Sequence, residues 1–274
     1  MELRTDKIRA CFDRKIGNFT ELWNLSTNTN YVRCAPRDPL IELYGLKNGE
    51  RVKLSGHISD VAEAPDALIL SYDSFGEYDI SAKVTCRCEQ DRLVFSAEIC
   101  NHSTIDVTEI LMPHLGGIYL GNGQKDYLIY PHHAGDKTED PVYNYAENRM
   151  TFWRGCSVPF EDIYRREINY CGLASMSWMY YYNSCGGFYI GSHDPRFPVT
   201  GVIAETSGDR ENPWMAFAFR KYFRIKQGET YQTGNFVVCL STRIGIMARR
   251  CIGNTSLLIW ILTITPSIYK TNMP

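Results

Sequence analysis

Residues 80–99 read ISAKVTCRCEQDRLVFSAEI. Ile80, Ala82, Val84, Cys86 and Cys88 alternate with Ser81, Lys83, Thr85, Arg87 and Glu89. A period of two sends one set into a core and the other into water. Gln90-Asp91 then breaks the run, and Leu93, Phe95, Ala97 and Ile99 lead back. The stretch predicts an antiparallel hairpin with one dry and one wet face.

The same grammar extends in both directions. Ile8, Ala10 and Phe12 alternate with polar neighbours, as do Val52 and Leu54, and Leu68, Leu70 and Tyr72. Met215, Phe217 and Phe219 open a strand that Lys226–Glu229 turns and Asn235–Leu240 returns. Helical spacing is nearly absent. Only Pro159–Asn169 predicts a short helix, with acids early and bases late as the helix dipole prefers. No βαβ alternation, glycine-rich phosphate loop or internal repeat appears. Many short strands with regular turns predict an all-β chain, a large antiparallel sandwich.

Composition narrows the partners. The 274 residues suit one large β domain or two small ones, and 44% hydrophobic content supports a full core. Twenty-nine basic and 31 acidic residues are mixed along the chain, for a net charge of −2. No basic stripe points to nucleic acid, and no polybasic run points to a membrane surface. Uncharged partners such as carbohydrates fit this balance. The start, MELRTDKIRACFDRK, lacks the apolar stretch of a signal peptide, so a cytoplasmic, reducing setting is expected. The ten cysteines show no framework spacing, and free thiols are expected. Cys86 and Cys88 share a strand face and read as small buried hydrophobes. A metal site would need two more ligands, and no metal or other cofactor is expected.

The block Tyr170–Pro198 concentrates aromatic rings among small polar residues: Trp178, Tyr180, Tyr181, Tyr182, Phe188 and Tyr189 beside Ser175, Ser177, Gly186 and Gly187. It reads as two strands and a turn. Flat rings next to short polar groups suit a sugar, which has an apolar face and a rim of hydroxyls. The competing reading is core, because aromatic runs in β proteins often pair across strands. Alternation sends the rings of Trp178–Tyr182 to opposite faces, which leaves some buried and some facing a groove. Candidate substrate-binding residues are Trp178, His193 and Asp194, with His132 and His133 in the turn-rich YPHHAGD loop. His193 and Asp194 also fit a simple pair across a turn before Pro195. Ser192-His193-Asp194 is no catalytic triad, since consecutive residues point to opposite faces.

Four segments carry a resemblance. FDRKIGNFTELWN (12–24), VFSAEICNHSTIDVTEILMPHLGGIYLG (94–121), DYLIYPHHAGD (126–136) and YCGLASMSWMYYYNSCGGFYIGSHDP (170–195) occur in this order. Together they resemble galactose-mutarotase-like β-supersandwich domains, as found N-terminal to the TIM barrel of glycoside hydrolases. The likeness runs from about Leu3 to Thr242. Cys171 departs from it, standing where proline is expected. The resemblance implies a non-catalytic, carbohydrate-associated domain that faces sugar or docks on a TIM-barrel catalytic domain or chain. Such hydrolases carry their two catalytic carboxylates on the barrel, roughly 5–9.5 Å apart, so no catalytic residue is assigned here. One alternative is an aldose 1-epimerase, which needs a general base and a general acid. His102 and His193 are its candidate histidines, and no glutamate is marked out as base. A ligand-free structural remnant is the third reading.

The chain divides at Thr242. Residues 1–242 form the supersandwich domain, and residues 243–274 read as an atypical tail. Its apolar run Leu257–Ile264 is far short of the roughly 20 residues of a membrane span. The tail reads as truncated or out of frame, with a final strand as the alternative.

Overall fold

The computed structural model describes residues 1–147, 158–160 and 162–242. The tail expectation therefore lies outside the described residues. Three antiparallel sheets hold all the strands of the described chain. A four-stranded sheet holds β1 (Glu2–Arg4), β2 (Ile8–Phe12), β3 (Phe19–Asn24) and β4 (Thr29–Asn30) in sequence order.

The remaining strands are β5 (Glu42–Lys47), β6 (Glu50–Leu54), β7 (Asp60–Ala64), β8 (Ala67–Tyr72), β9 (Ile80–Glu89), β10 (Arg92–Asn101), β11 (Asp106–Ile118), β12 (Asp126–Tyr130) and β13 (Asp136–Glu139). After helix α1 (Pro141–Glu147) come β14 (Val158–Phe160), β15 (Ile163–Tyr170), β16 (Trp178–Asn183), β17 (Gly187–His193), β18 (Thr200–Thr206), β19 (Met215–Ile225), β20 (Thr230–Gln232) and β21 (Asn235–Ser241). The larger sheet runs β13-β12-β16-β17-β21-β10-β9-β8-β7, with β20 also on β10. The smaller partner runs β14-β15-β18-β19-β11-β5-β6.

The opening hairpin is β9 and β10, paired without interruption from Arg92 opposite Glu89 to Asn101 opposite Ile80. Ile80, Ala82, Val84 and Cys86 are buried, and Cys88 packs half-buried against the same core. Rings from both large sheets meet between them. Phe188 and Phe217 lie 5.3 Å apart by centroid, and Phe219 and Phe236 5.6 Å. Such contacts bury large apolar areas, the main favourable term in folding. Asn101, fully buried at the end of β10, donates to the carbonyls of Ile105 and Ile225 and so ties one sheet to the other.

Three expectations need correction. The segment read as a helix at 159–169 is strand β14 and most of β15. Its acid-to-base gradient serves cross-strand partners instead of a helix dipole: Arg165 pairs with Glu205, and Glu167 with Arg220. The helix lies earlier, at Pro141–Glu147. β19 and β21 are not hairpin partners; the turn at Lys226–Glu229 carries the chain from the smaller sheet to the larger. Seven described cysteines are free, but Cys239 is disulfide-bonded, so the expectation of free thiols fails there. Cys171 adopts φ of 67°, a conformation closed to the proline expected there.

Candidate functional site

The aromatic block divides as alternation requires. Met179, Tyr181, Phe188 and Ile190 join the main core. Trp178, Tyr180, Tyr182 and Tyr189 face the other way and cluster with Val94, Val237 and Cys239. These four rings pack on one another, with Tyr180 and Tyr182 stacked at 5.0 Å, and their exposure lies between 2% and 7%. They present no open platform as they stand.

His193 shares that outer face. Its Nε2 lies 2.9 Å from the Tyr189 hydroxyl. Burial, reinforced by Arg92, pushes its pKa down to about 4, so the ring is neutral at physiological pH. Asp194 turns inward, chelated by Arg196 at 3.0 Å and 3.8 Å from Lys221 Nζ. The simple His193–Asp194 pair does not form; each has a partner of its own. His132 and His133 sit apart in their loop, rings 4.1 Å from each other. His132 is buried with Nδ1 3.1 Å from Asp136, while His133 is exposed. Thus the five expected residues fall in three places: Trp178 and His193 on one face, His132 and His133 in one loop, and Asp194 apart from both.

A different site opens on the outer face of the seven-stranded sheet. It is a cavity of about 200 Å³ lined by Asn18, Arg37, Asp38, His114, Asp162 and Trp214, among others. Strand register explains the floor. Ile203 stands opposite Ala218, and Ala218 opposite His114. Glu205, two residues beyond Ile203, therefore projects from the same face beside Ala216. The β11 register shifts between Leu111 and His114. This irregularity puts His114 on the outer face with Leu111, where strict alternation would turn it inward.

The wall comes from a crossing segment. Gly117 has φ of 75°, and a Cβ there would stand 2.3 Å from the Cys34 carbonyl oxygen. Glycine thus lets residues 32–38 run against the end of β11. Asn18, fully buried, donates to the carbonyls of Asp38 and His114 and fixes that approach.

Electrostatics concentrate at the floor. His114 Nε2 lies 2.9 Å from Glu205 Oε2 and 4.0 Å from Asp38 Oδ2. Arg165 Nε holds the other Glu205 oxygen at 2.5 Å. Burial works to raise the Glu205 pKa, but His114 and then Arg165 outweigh it and bring it to about 2. Burial works against a charged His114, yet Glu205, Asp38 and Glu42 prevail and raise its pKa. Burial raises the pKa of Asp38, with only partial relief from His114. His114 is 1% exposed and its Nδ1 has no partner.

Asp38, His114, Glu205 and Trp214 escaped the sequence reading. His114 lay within the quoted segment MPHLGG, and Glu205 is the one carboxylate in the otherwise neutral strand TGVIAET. A lone acid in a buried strand was the available signal.

With this geometry the fold can be compared. An aldose 1-epimerase-like protein from Escherichia coli K12 superposes with a TM-score of 0.56 at 10% identity, covering 87% of this chain and 97% of its own. A galactose mutarotase-like protein from Lactobacillus casei gives 0.53 at 11%, covering 88% and 99%. The chain has the galactose-mutarotase-like fold. The GH36 α-galactosidase AgaA from Geobacillus stearothermophilus gives 0.54 at 9%, covering 89% of this chain but 40% of that longer one. No protein-family model and no curated protein matches the sequence. Among the described residues, no helix is long and apolar enough to cross a membrane.

Proposed function

We propose that residues 1–242 are a sugar-facing, non-catalytic domain of a glycoside hydrolase-like protein, whose catalytic barrel is another domain or chain. The observation that carries this reading is the cavity over His114. It offers one aromatic side chain, Trp214, with a guanidinium and two carboxylates around it. That is the mixture a pyranose needs: a ring to stack on, and donors and acceptors for its hydroxyls. The buried rings around Trp178 and Tyr189 then stiffen the opposite sheet, and the barrel is the partner we expect beside the domain.

Calorimetric titration with galactosides, glucosides and N-acetylhexosamines tests the reading. Binding in the millimolar range is expected, weakened at least ~10-fold by Trp214→Ala through loss of the stacking face. Absence of heat with every sugar sinks it.

The aldose 1-epimerase reading is favoured by one observation. A protonation-prone imidazole and an Asp carboxylate whose pKa is raised stand 4.0 Å apart at the cavity. General acid and base must reach adjacent oxygens of the same sugar carbon. Polarimetry on freshly dissolved α-galactose and α-glucose decides between the readings. The non-catalytic reading expects mutarotation at the solvent rate, and acceleration abolished by Asp38→Asn would replace it with the epimerase.

A further inference from the structure

We infer that the cavity selects a sugar bearing a free ammonium group, an amino sugar, over the neutral hexose; this rests on the sugar-facing reading above. The carboxylates at the cavity differ in how far their oxygens are already engaged. Glu205 has both oxygens engaged, one by Arg165 and one by His114. Asp162, on the rim, is paired with Arg37. Glu42, near the floor, is held by Lys53 and the Tyr44 hydroxyl.

Asp38 differs from all three. Its side chain is 23% exposed and it lines the cavity. Its nearest cationic atoms are Arg37 Nε at 3.9 Å and His114 Nε2 at 4.0 Å, beyond hydrogen-bond range. Among the described residues its carboxylate accepts no side-chain or backbone hydrogen bond. Its backbone carbonyl, by contrast, is taken by Asn18.

A half-buried carboxylate without donors is costly to keep ionised. Its roughly four lone-pair sites ask for several donors and a positive charge. A neutral hydroxyl brings one donor and no charge. An ammonium brings three donors and makes the stronger, charge-assisted bond. An N-acetyl group brings one N–H and no charge, and a uronic acid brings repulsion. The order expected is therefore amino sugar first, then neutral hexose and N-acetylhexosamine, then uronic acid.

The test is calorimetry at pH 7 in the presence of EDTA, with galactosamine, galactose, N-acetylgalactosamine and galacturonic acid, repeated for the glucose series. The amino sugar is expected to bind at least ~10-fold more tightly than its parent hexose. The wild-type series carries this test without any variant. In Asp38→Asn, checked for folding by its urea midpoint, the margin between amino and neutral sugar should close. Equal affinity for amino and neutral sugars would overturn the inference while the sugar-facing reading stands. Silence with every sugar would overturn both. A preference that survives in Asp38→Asn would place the ammonium elsewhere and also end the proposal. A last arm adds zinc or manganese in place of EDTA, because Asp38, His114 and Glu205 have ligating atoms within 4.8 Å of one another. Stoichiometric metal binding that leaves no amine preference would give Asp38 a metal as its partner and refute the ammonium.

Discussion

Glu205→Ala is expected to lower folding stability by about 3–5 kcal/mol, the range for breaking a buried charge pair from one side. Glu205 is fully buried and is held at 2.5 Å by Arg165 and at 2.9 Å by His114. Alanine removes the carboxylate that Arg165 Nε and the imidazole share. His114 escapes part of the penalty by losing its proton, but a guanidinium cannot. Glu205→Gln should cost less, since it keeps the shape and an acceptor oxygen. Urea midpoints at pH 7, ordered wild type, then Gln, then Ala, check this.

The acid limb gives an independent reading of the same group. The Glu205 pKa is about 2 in the folded chain against 4.5 for the free side chain. A depressed carboxyl pKa contributes stability that is fully present above 4.5 and lost as pH falls toward 2. The size is on the order of 3 kcal/mol. The attraction between His114 and Glu205 is one energy and is counted once. Wild type should therefore lose stability more steeply than Glu205→Gln between pH 4.5 and 2. Parallel acid limbs for the two proteins would show that the pair contributes nothing.

Much of this fold was legible because burial in a half-wet sheet writes itself as alternation. The β9–β10 hairpin, β2 and β8 follow from that rule, whereas the two strands of the aromatic block are buried on both faces. What failed has a common physical cause: charge and register depend on neighbours distant in sequence. The charges of β15 looked like helix-end complements, yet Arg165 answers Glu205, 40 residues away. β19 and β21 are close in sequence but join different sheets, because a sandwich closes its edges by crossing between layers. His114 reached the outer face through an irregularity that a strict period of two does not encode. The aromatic block announced itself in composition, but composition does not tell a packed face from an open one. The open cavity draws its lining from the turn before β3, the segment before β5, the end of β11, the turn before β15 and the residues around the start of β19. No local stretch advertises such a site.

Lys221→Met is expected to remove a pH dependence on the alkaline side that is the mirror of the Glu205 effect. Lys221 lies on β19 with 1% exposure, the neighbour of outward-facing Arg220, and its Nζ projects toward the larger sheet. There it donates to Thr200 Oγ1 at 2.8 Å and sits 3.8 Å from Asp194 Oδ2. Burial drives its pKa down to about 8, with Asp194 offsetting only part of the cost and Arg196 adding to it. The folded chain then binds fewer protons than the unfolded chain between pH 8 and 10.5, so this group makes stability rise with pH across that window. From pH 7 to pH 9.5 the gain is about 2 kcal/mol. Tyrosines with raised pKa values, such as Tyr31 and Tyr44, oppose the rise only as pH passes 10, and they do so equally in both proteins. In Lys221→Met the rise should vanish, while Asp194 keeps its bidentate partner Arg196 and stays charged. Methionine fills most of the lysine stem's volume, so packing changes little. Urea midpoints at pH 7 and 9.5 for both proteins give the answer. A wild type that fails to gain over the variant would mean that Asp194 and Thr200 already solvate the ammonium as well as water does.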